Sequence, residues 1–330
     1  MKILKLKAVM KIKWVSWILM GLLAGMLAIG CRARLSQSQL GITLAEARGE
    51  FQTIVQTKSL PSSPAPLPPV GLMRKVKYPS SVGELSAYIS EPPTVEAQYP
   101  AVIWVFGGFS NDIDETAWLE AVPENDQSGR AFWESGIVTM YPSLRGGNDN
   151  PGRREGLYGE VNDVLAAADY LAMQPFVDPE RIYLAGHSTG GTLVLLAAAM
   201  SDQFKAIFSF GPVGDIRVYG QENLPFDVTN DQEVGLRSPA LWMHTIKTPT
   251  FIFEGTQHPS NVDALDYLAA VKHNDALIQF HPVKGADHFS LLAPITQLVA
   301  NKILLDTEDA AALSFTESDI RSALIQLRIQ

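Results

Sequence analysis

Past Pro100, short and almost wholly apolar runs alternate with longer stretches in which apolar residues recur every three or four positions. The runs at 101–106, 136–141, 181–185, 206–210, 250–253 and 276–281 predict strands. Helices are predicted around Trp118 to Ala121, over 160–173, directly after Ser188 and near 263–272. Strands with no polar alternation bury both faces. The pattern therefore predicts an α/β fold, a mainly parallel sheet of about eight strands with helices on each side.

Upstream the pattern changes. Residues 75–78 and 85–90 are short extended segments split by Ser80-Ser81-Val82-Gly83, which predicts an antiparallel hairpin at one sheet edge. Earlier still, 34–58 carries a modest helical pattern around Leu44-Ala45-Glu46-Ala47-Arg48. Then Pro61, Pro64, Pro66, Pro68 and Pro69 crowd together, as in an extended spacer of polyproline character. The expected organisation is a helix and Pro-rich linker over 31–70, a folded domain over 71–305, and a helical tail over 306–330 with Thr316 or Ser318 as its N-cap.

The N-terminus has its own signature. Lys2, Lys5, Lys7, Lys11 and Lys13 precede an apolar run from Trp14 to Ile29, a positive region followed by a hydrophobic one, as in a secretory signal. The run closes in Ala28-Ile29-Gly30-Cys31 and resembles a bacterial lipoprotein signal, in which cleavage before Cys31 leaves that residue to carry lipid; Ala28 stands where such signals usually have Leu. An ordinary signal peptide and a retained anchor are the alternatives, the second on a run shorter than the ~20 residues that span a bilayer. Each implies export, and the lipoprotein reading implies a membrane-anchored protein of the cell envelope. Cys31 is the only cysteine of the 330 residues, so no internal disulfide is expected. The five leader lysines, taken from a formal net charge of −9, leave −14. A chain that acidic is a poor partner for nucleic acid, whose phosphates call for clustered Lys and Arg.

The chemistry concentrates in Gly186-His187-Ser188-Thr189-Gly190, which follows the apolar Ile182-Tyr183-Leu184-Ala185 and precedes the helical 193–199. A strand that turns at once into a helix forms a nucleophile elbow, and small residues are needed because its two arms nearly touch. Ser188 is the candidate nucleophile, with the Thr189 N–H facing the reaction space. A serine hydroxyl needs a base, and that base needs an acid to hold its tautomer. Of the six histidines, His288 in Gly285-Ala286-Asp287-His288-Phe289 follows the last predicted strand by a short loop, where the order Ser, acid, His places the base. His187 lies beside the serine and would point elsewhere. The histidines lack the clustered spacing of a metal site and no phosphate-cradling loop is present, so neither metal nor cofactor is expected.

From about Val76 to Leu304 the chain resembles the α/β-hydrolases, and among them the catalytic domains of the prolyl oligopeptidase and dienelactone hydrolase-like group. The resemblance rests on Gly107-Gly108 after a strand, Asp163-Val164 in the helix before the elbow, Val177-Asp178-Pro179-Glu180-Arg181-Ile182 leading into it, and Ser238-Pro239 followed by Ile246-Lys247-Thr248-Pro249-Thr250. It implies an acyl-enzyme mechanism on esters or amides, with backbone N–H groups at Gly108 or Phe109 joining Thr189 in an oxyanion hole. The family commonly ends its seventh strand in His-Gly-x-x-Asp; here Glu254-Gly255-Thr256-Gln257-His258 puts histidine in the aspartate slot. Three acids stay open. Glu254 leads because it closes a central strand; Asp263 and Asp215 follow, either of which could serve instead as a helix N-cap. About forty residues between Phe210 and Thr250 leave room for only a small cap. That favours a carboxylesterase with an open site, with a peptidase as the first alternative and a binding protein that lost its chemistry as the second.

Overall fold

The computed structural model describes residues 41–56, 63–94, 96–271, 277–307 and 313–327. The leader, Cys31, Pro61 and His273 lie outside them. Eight strands form: β1 (Met73–Ser80), β2 (Gly83–Ser90), β3 (Tyr99–Val105), β4 (Val138–Pro142), β5 (Val177–His187), β6 (Ile207–Phe210), β7 (Thr250–Gly255) and β8 (Ile278–Val283). They join one sheet in the order β1-β2-β4-β3-β5-β6-β7-β8. The β1–β2 hairpin is antiparallel, with Ser80 opposite Gly83, and β2 meets β4 antiparallel; from β4 through β8 every pairing is parallel. The apolar runs become strands buried on both faces, as their lack of alternation requires.

Eight α-helices are described: α1 (Leu44–Gly49), α2 (Ala131–Glu134), α3 (Glu160–Ala172), α4 (Thr189–Met200), α5 (Asp231–Gly235), α6 (Val262–Val271), α7 (Leu292–Leu305) and α8 (Glu317–Leu327). Strand periodicity sorts the core into two layers. Ala101, Ile103 and Val105 of β3 pack with α3, α4 and α6 through Val164, Leu196 and Leu268. Val102 and Trp104, pointing the other way, pack with α2, α7 and α8 through Phe132, Ile295 and Ile320. α4 is buried almost all round, which explains its run of Leu, Val and Ala with no polar stripe. No helix among the described residues is long and apolar enough to cross a membrane.

Two expectations need correction. The helix expected around Trp118 to Ala121 is absent; a short 3-10 turn at Glu115–Ala117, capped by the Asp114 side chain, takes its place. Pro123 follows closely and steers Val122 out of helical geometry. The second concerns the linker. Residues 43–56 belong to the folded body: Leu44 is buried in the main core, and the Thr43 and Glu46 side chains cap α1 reciprocally. Arg48 donates to the carbonyls of Leu236, Tyr158 and Leu157 at 2.7, 2.8 and 3.0 Å. Even the described part of the Pro-rich stretch lies on the sheet, with Ala65 buried and Tyr88 donating to the Pro66 carbonyl at 2.8 Å. Residues 43–56 thus dock on the body through Leu44, with Ala47 and Phe51 against the same core, and through the buried Arg48 guanidinium; the helical pattern around Leu44 marks the helix but not where it docks.

Glu233 anchors the same segment, accepting from Ile54 N–H at 2.7 Å and Thr53 Oγ1 at 2.9 Å while it pairs with Arg237. Both members of that pair are buried. Removing one leaves an uncompensated interior charge, so Glu233→Ala is expected to lower the free energy of unfolding by about 3 kcal/mol or more, read from urea melts. An unchanged melt would show that the pair adds nothing.

Candidate active site

Ser188 is the one residue between the end of β5 and the start of α4, and its φ of 56° and ψ of −114° lie where an L-residue is strained. The elbow is fixed by Ser188 N–H donating to the Phe210 carbonyl at 2.7 Å. A Cβ at Gly190 would fall 2.2 Å from the Val105 carbonyl oxygen, so only glycine lets α4 pass this close to β3. Ser188 itself is half-buried.

His288 follows β8 in the loop before α7, 100 residues from the elbow in sequence but beside it in space: its ring centroid lies 4.6 Å from that of His187. Its Nδ1 lies 3.1 Å from Glu254 Oε2 and 3.3 Å from Oε1. Glu254, fully buried on the last turn-facing stretch of β7, takes a second hydrogen bond from Asn261 N–H at 3.1 Å. A carboxylate so placed holds the proton on Nδ1 and leaves Nε2 as the acceptor of the ring. Of the three acids left open, Glu254 is the one that reaches His288. Asp215 accepts from Arg217 N–H and Nη1 at 2.9 and 3.1 Å and caps a short turn, and Asp263 is exposed on α6. Asp287 is taken up by Phe289 N–H and Ser290 N–H, at 3.0 and 2.8 Å.

Three neighbours of the pair were not singled out from the sequence. Gly211 follows β6 with φ +61°; a Cβ there would sit 2.4 Å from His288 Cε1 and 2.5 Å from Glu254 Oε2. The backbone of His288 is held at both ends, its N–H donating to Pro259 O at 2.8 Å and its carbonyl accepting from His187 Nε2 at 3.0 Å. His187 therefore does not point away from the site but lies under it. Burial, then the neighbouring His288, depress its pKa to about 3 and keep it neutral. The signal for Gly211 lay in a glycine closing the strand next to the elbow strand.

The loop after β3 packs on the elbow. A Cβ on Gly107 would lie 3.1 Å from Ser188 Cβ, and the Thr189 hydroxyl donates to the Gly108 carbonyl. Thr189 is the first residue of α4, so its N–H has no carbonyl a turn earlier to accept it. Gly108, at φ +98°, and Phe109 line one cleft with Thr189. Phe109 meets Tyr219 edge-on at 5.4 Å, and the Tyr219 hydroxyl pairs with Thr192 Oγ1 at 2.6 Å. A groove of about 780 Å³ between α2, α7 and α8 contains none of these residues. Among the described residues no three His, Cys, Asp or Glu side chains cluster as a metal site would require.

A second histidine, half-buried, is held neutral. His281 stacks on Phe253 at 4.9 Å, and burial lowers its pKa to about 4. A histidine whose folded pKa falls below its unfolded value of ~6.5 contributes stability that is complete above that pH and is lost as pH falls toward the folded value. The protein is therefore expected to lose stability from about pH 6.5 downward. His281→Phe, which keeps the stack, is expected to recover roughly 1–2 kcal/mol at pH 5 relative to pH 7.5 in urea melts; parallel losses in both proteins would refute this assignment.

Comparison with known proteins gives the same picture. The prolyl oligopeptidase family matches residues 125–300, more than half of the chain. YuxL of Bacillus subtilis, described as an uncharacterized peptidase, is 24% identical over 207 residues, 56% of this chain and 30% of its own. The chain spans about a third or less of the curated relatives it matches. Among solved structures, a puromycin-hydrolyzing peptidase of Mycobacterium tuberculosis superposes with a TM-score of 0.57 at 21% identity, covering 73% of this chain and 40% of that one. An esterase of Pyrobaculum calidifontis does so with a TM-score of 0.52 at 17% identity, covering 81% and 90%. At such identities the structures establish the α/β-hydrolase fold alone. Together with the match across its central half, they establish that the chain belongs to the prolyl oligopeptidase family of serine hydrolases.

Proposed function

We propose that this chain is a serine peptidase that opens amide bonds through an acyl-enzyme, with Ser188 as nucleophile, His288 as base and Glu254 as the acid that orients it. The observation that carries the proposal is the buried Glu254–His288 pair, which supplies the acid that the sequence motif leaves out. Ser188 Oγ attacks the scissile carbonyl and passes its proton to His288 Nε2; the C–N bond then breaks as that proton moves to the leaving amine. Water, deprotonated by the same nitrogen, hydrolyses the ester formed on Ser188. Backbone N–H groups of Thr189 and of Gly108 or Phe109 bind the oxyanion, where each donor is typically worth about 10²–10³ in rate.

Family membership shifts the balance from the carboxylesterase suggested by the small cap to a peptidase, and the two share every chemical step. Aminoacyl p-nitroanilides assayed beside the matched p-nitrophenyl esters separate them. Turnover of both classes is expected; esters hydrolysed with every anilide inert would make the protein an esterase. A fluorophosphonate that fails to label Ser188 in folded protein would leave a binding protein instead. The lysine-rich leader and Cys31 support placing this activity at the cell envelope on a lipid anchor, which the mass of membrane-extracted protein tests: an unmodified Cys31 removes the anchor.

A further inference from the structure

His187 is the last residue of β5, and the alternation of that strand turns it to the same side as Tyr183 and Ala185, toward the layer that holds α7. The loop that carries His288 runs into α7 on that side. The His187 ring therefore lies beneath it, 4.6 Å from the ring of His288 and 5.7 Å from that of Phe289. It is almost wholly buried and takes no part in the proposed proton transfers. A neutral imidazole has a single N–H. Donation to the His288 carbonyl at 3.0 Å puts that proton on Nε2 and leaves Nδ1 bare, and Nδ1 is buried with no hydrogen-bond partner among the described residues. What faces it is the loop after β3, where a Cβ on Gly107 would fall 3.1 Å from Nδ1. One edge of the ring thus meets that loop and the other meets the backbone of the base.

Three contacts define where the His288 ring stands. Its N–H donates to Pro259 O at 2.8 Å and its carbonyl accepts from His187, so the peptide planes on both sides of Cα are held and with them the direction in which the side chain leaves. Glu254 then sets the turn of the ring through Nδ1. The second contact is unusual in its source. Leu292 N–H, which a continuous helix would direct to the His288 carbonyl, donates to Phe289 O at 3.0 Å instead. A side chain from the elbow stands where a backbone donor would be.

We propose that His187 is a positioning residue for the base: its Nε2–H holds the His288 carbonyl and so fixes the reach of the His288 ring toward Ser188. This rests on the proposed roles of Ser188 and His288. With the donor removed, one end of the His288 backbone is released, and a displacement of about 1 Å at the reacting atoms costs about 10² in rate.

The test compares His187→Gln, whose amide N–H can stand where Nε2 does, with His187→Met, which has the same reach and no donor, and with His187→Asn, whose amide stops near the place of Nδ1. On one p-nitrophenyl ester, His187→Met and His187→Asn are expected to lose about 10² in kcat with KM unchanged, and His187→Gln to return to within about tenfold of wild type. Amide exchange in the peptide that carries 284–291 should quicken in the first two and not in the third. Thermal melts establish that each variant folds; should His187→Met fail to fold, His187→Asn decides the comparison with His187→Gln. Equal kcat in His187→Gln and His187→Met, whether both near wild type or both low, would mean that the side chain only fills space and would overturn the assignment, as would a loss carried by KM. A wild type that hydrolyses neither ester nor anilide and takes up no fluorophosphonate would sink the proposed function and this role with it. An active wild type matched by His187→Met removes the role of His187 alone.

Discussion

Glu254→Gln is expected to lower kcat by about 10⁴ while the protein stays folded and still binds substrate. The amide is isosteric and can still accept from Asn261 N–H, so the fold has little reason to shift. What changes is the face shown to His288. The carboxylate accepts from Nδ1 through both oxygens at 3.1 and 3.3 Å; an amide turned to offer its NH₂ would favour the proton on Nε2, where it blocks proton abstraction from Ser188. Asp215→Asn and Asp263→Asn are the controls and should stay within a few-fold of wild type, since the first caps a turn and the second faces solvent. Steady-state kinetics on one ester and one anilide decide the matter. Comparable turnover by Glu254→Gln would mean that His288 works without an acid.

Gly211→Ala is the second large effect, a loss of about 10³ in kcat, between the ~10² of a 1 Å misplacement and the ~10⁴ of losing the acid. The added methyl would need to occupy space 2.4 to 2.6 Å from His288 Cε1, His288 Nδ1 and Glu254 Oε2, well inside ordinary contact. Something has to move. His288 is held through both backbone ends, so the ring and the carboxylate must part, and the positive φ adds strain of its own. Fluorophosphonate labelling should slow in step with kcat. If labelling and turnover both survive, the pair tolerates being spread and its tight packing is incidental.

Local features were legible in the sequence. The elbow and the buried strands are written in consecutive residues, and Glu254 stood out as the polar end of an otherwise apolar strand. The choice among three acids was not legible, because Glu254 and His288 lie 34 residues apart and meet only when β7 and β8 pair in register. Gly211 and His187 were hidden for a similar reason: their roles depend on a partner supplied by a distant loop. The boundary at Gly71 failed on other grounds. The helical pattern around Leu44 marks a helix but not its partner, and 43–56 is held to the body by Leu44, by a buried arginine and by Glu233, whose partners lie more than a hundred residues away. Nor did length alone reveal the long α7, although Ile295, Val299 and Ile303 recur at helical spacing.

The hydroxyl of Thr189 bound to the carbonyl of Gly108 has a last consequence. It ties the loop after β3 to the start of α4, so the N–H groups around Ser188 are aligned before any substrate arrives. The oxyanion site proposed here, preorganised in this way, would not reorganise during reaction, the property that gives such sites their catalytic strength. Such a site would not discriminate by induced fit, because a poor substrate would find it already assembled. Selection then falls to the surfaces a substrate meets before its carbonyl reaches the serine.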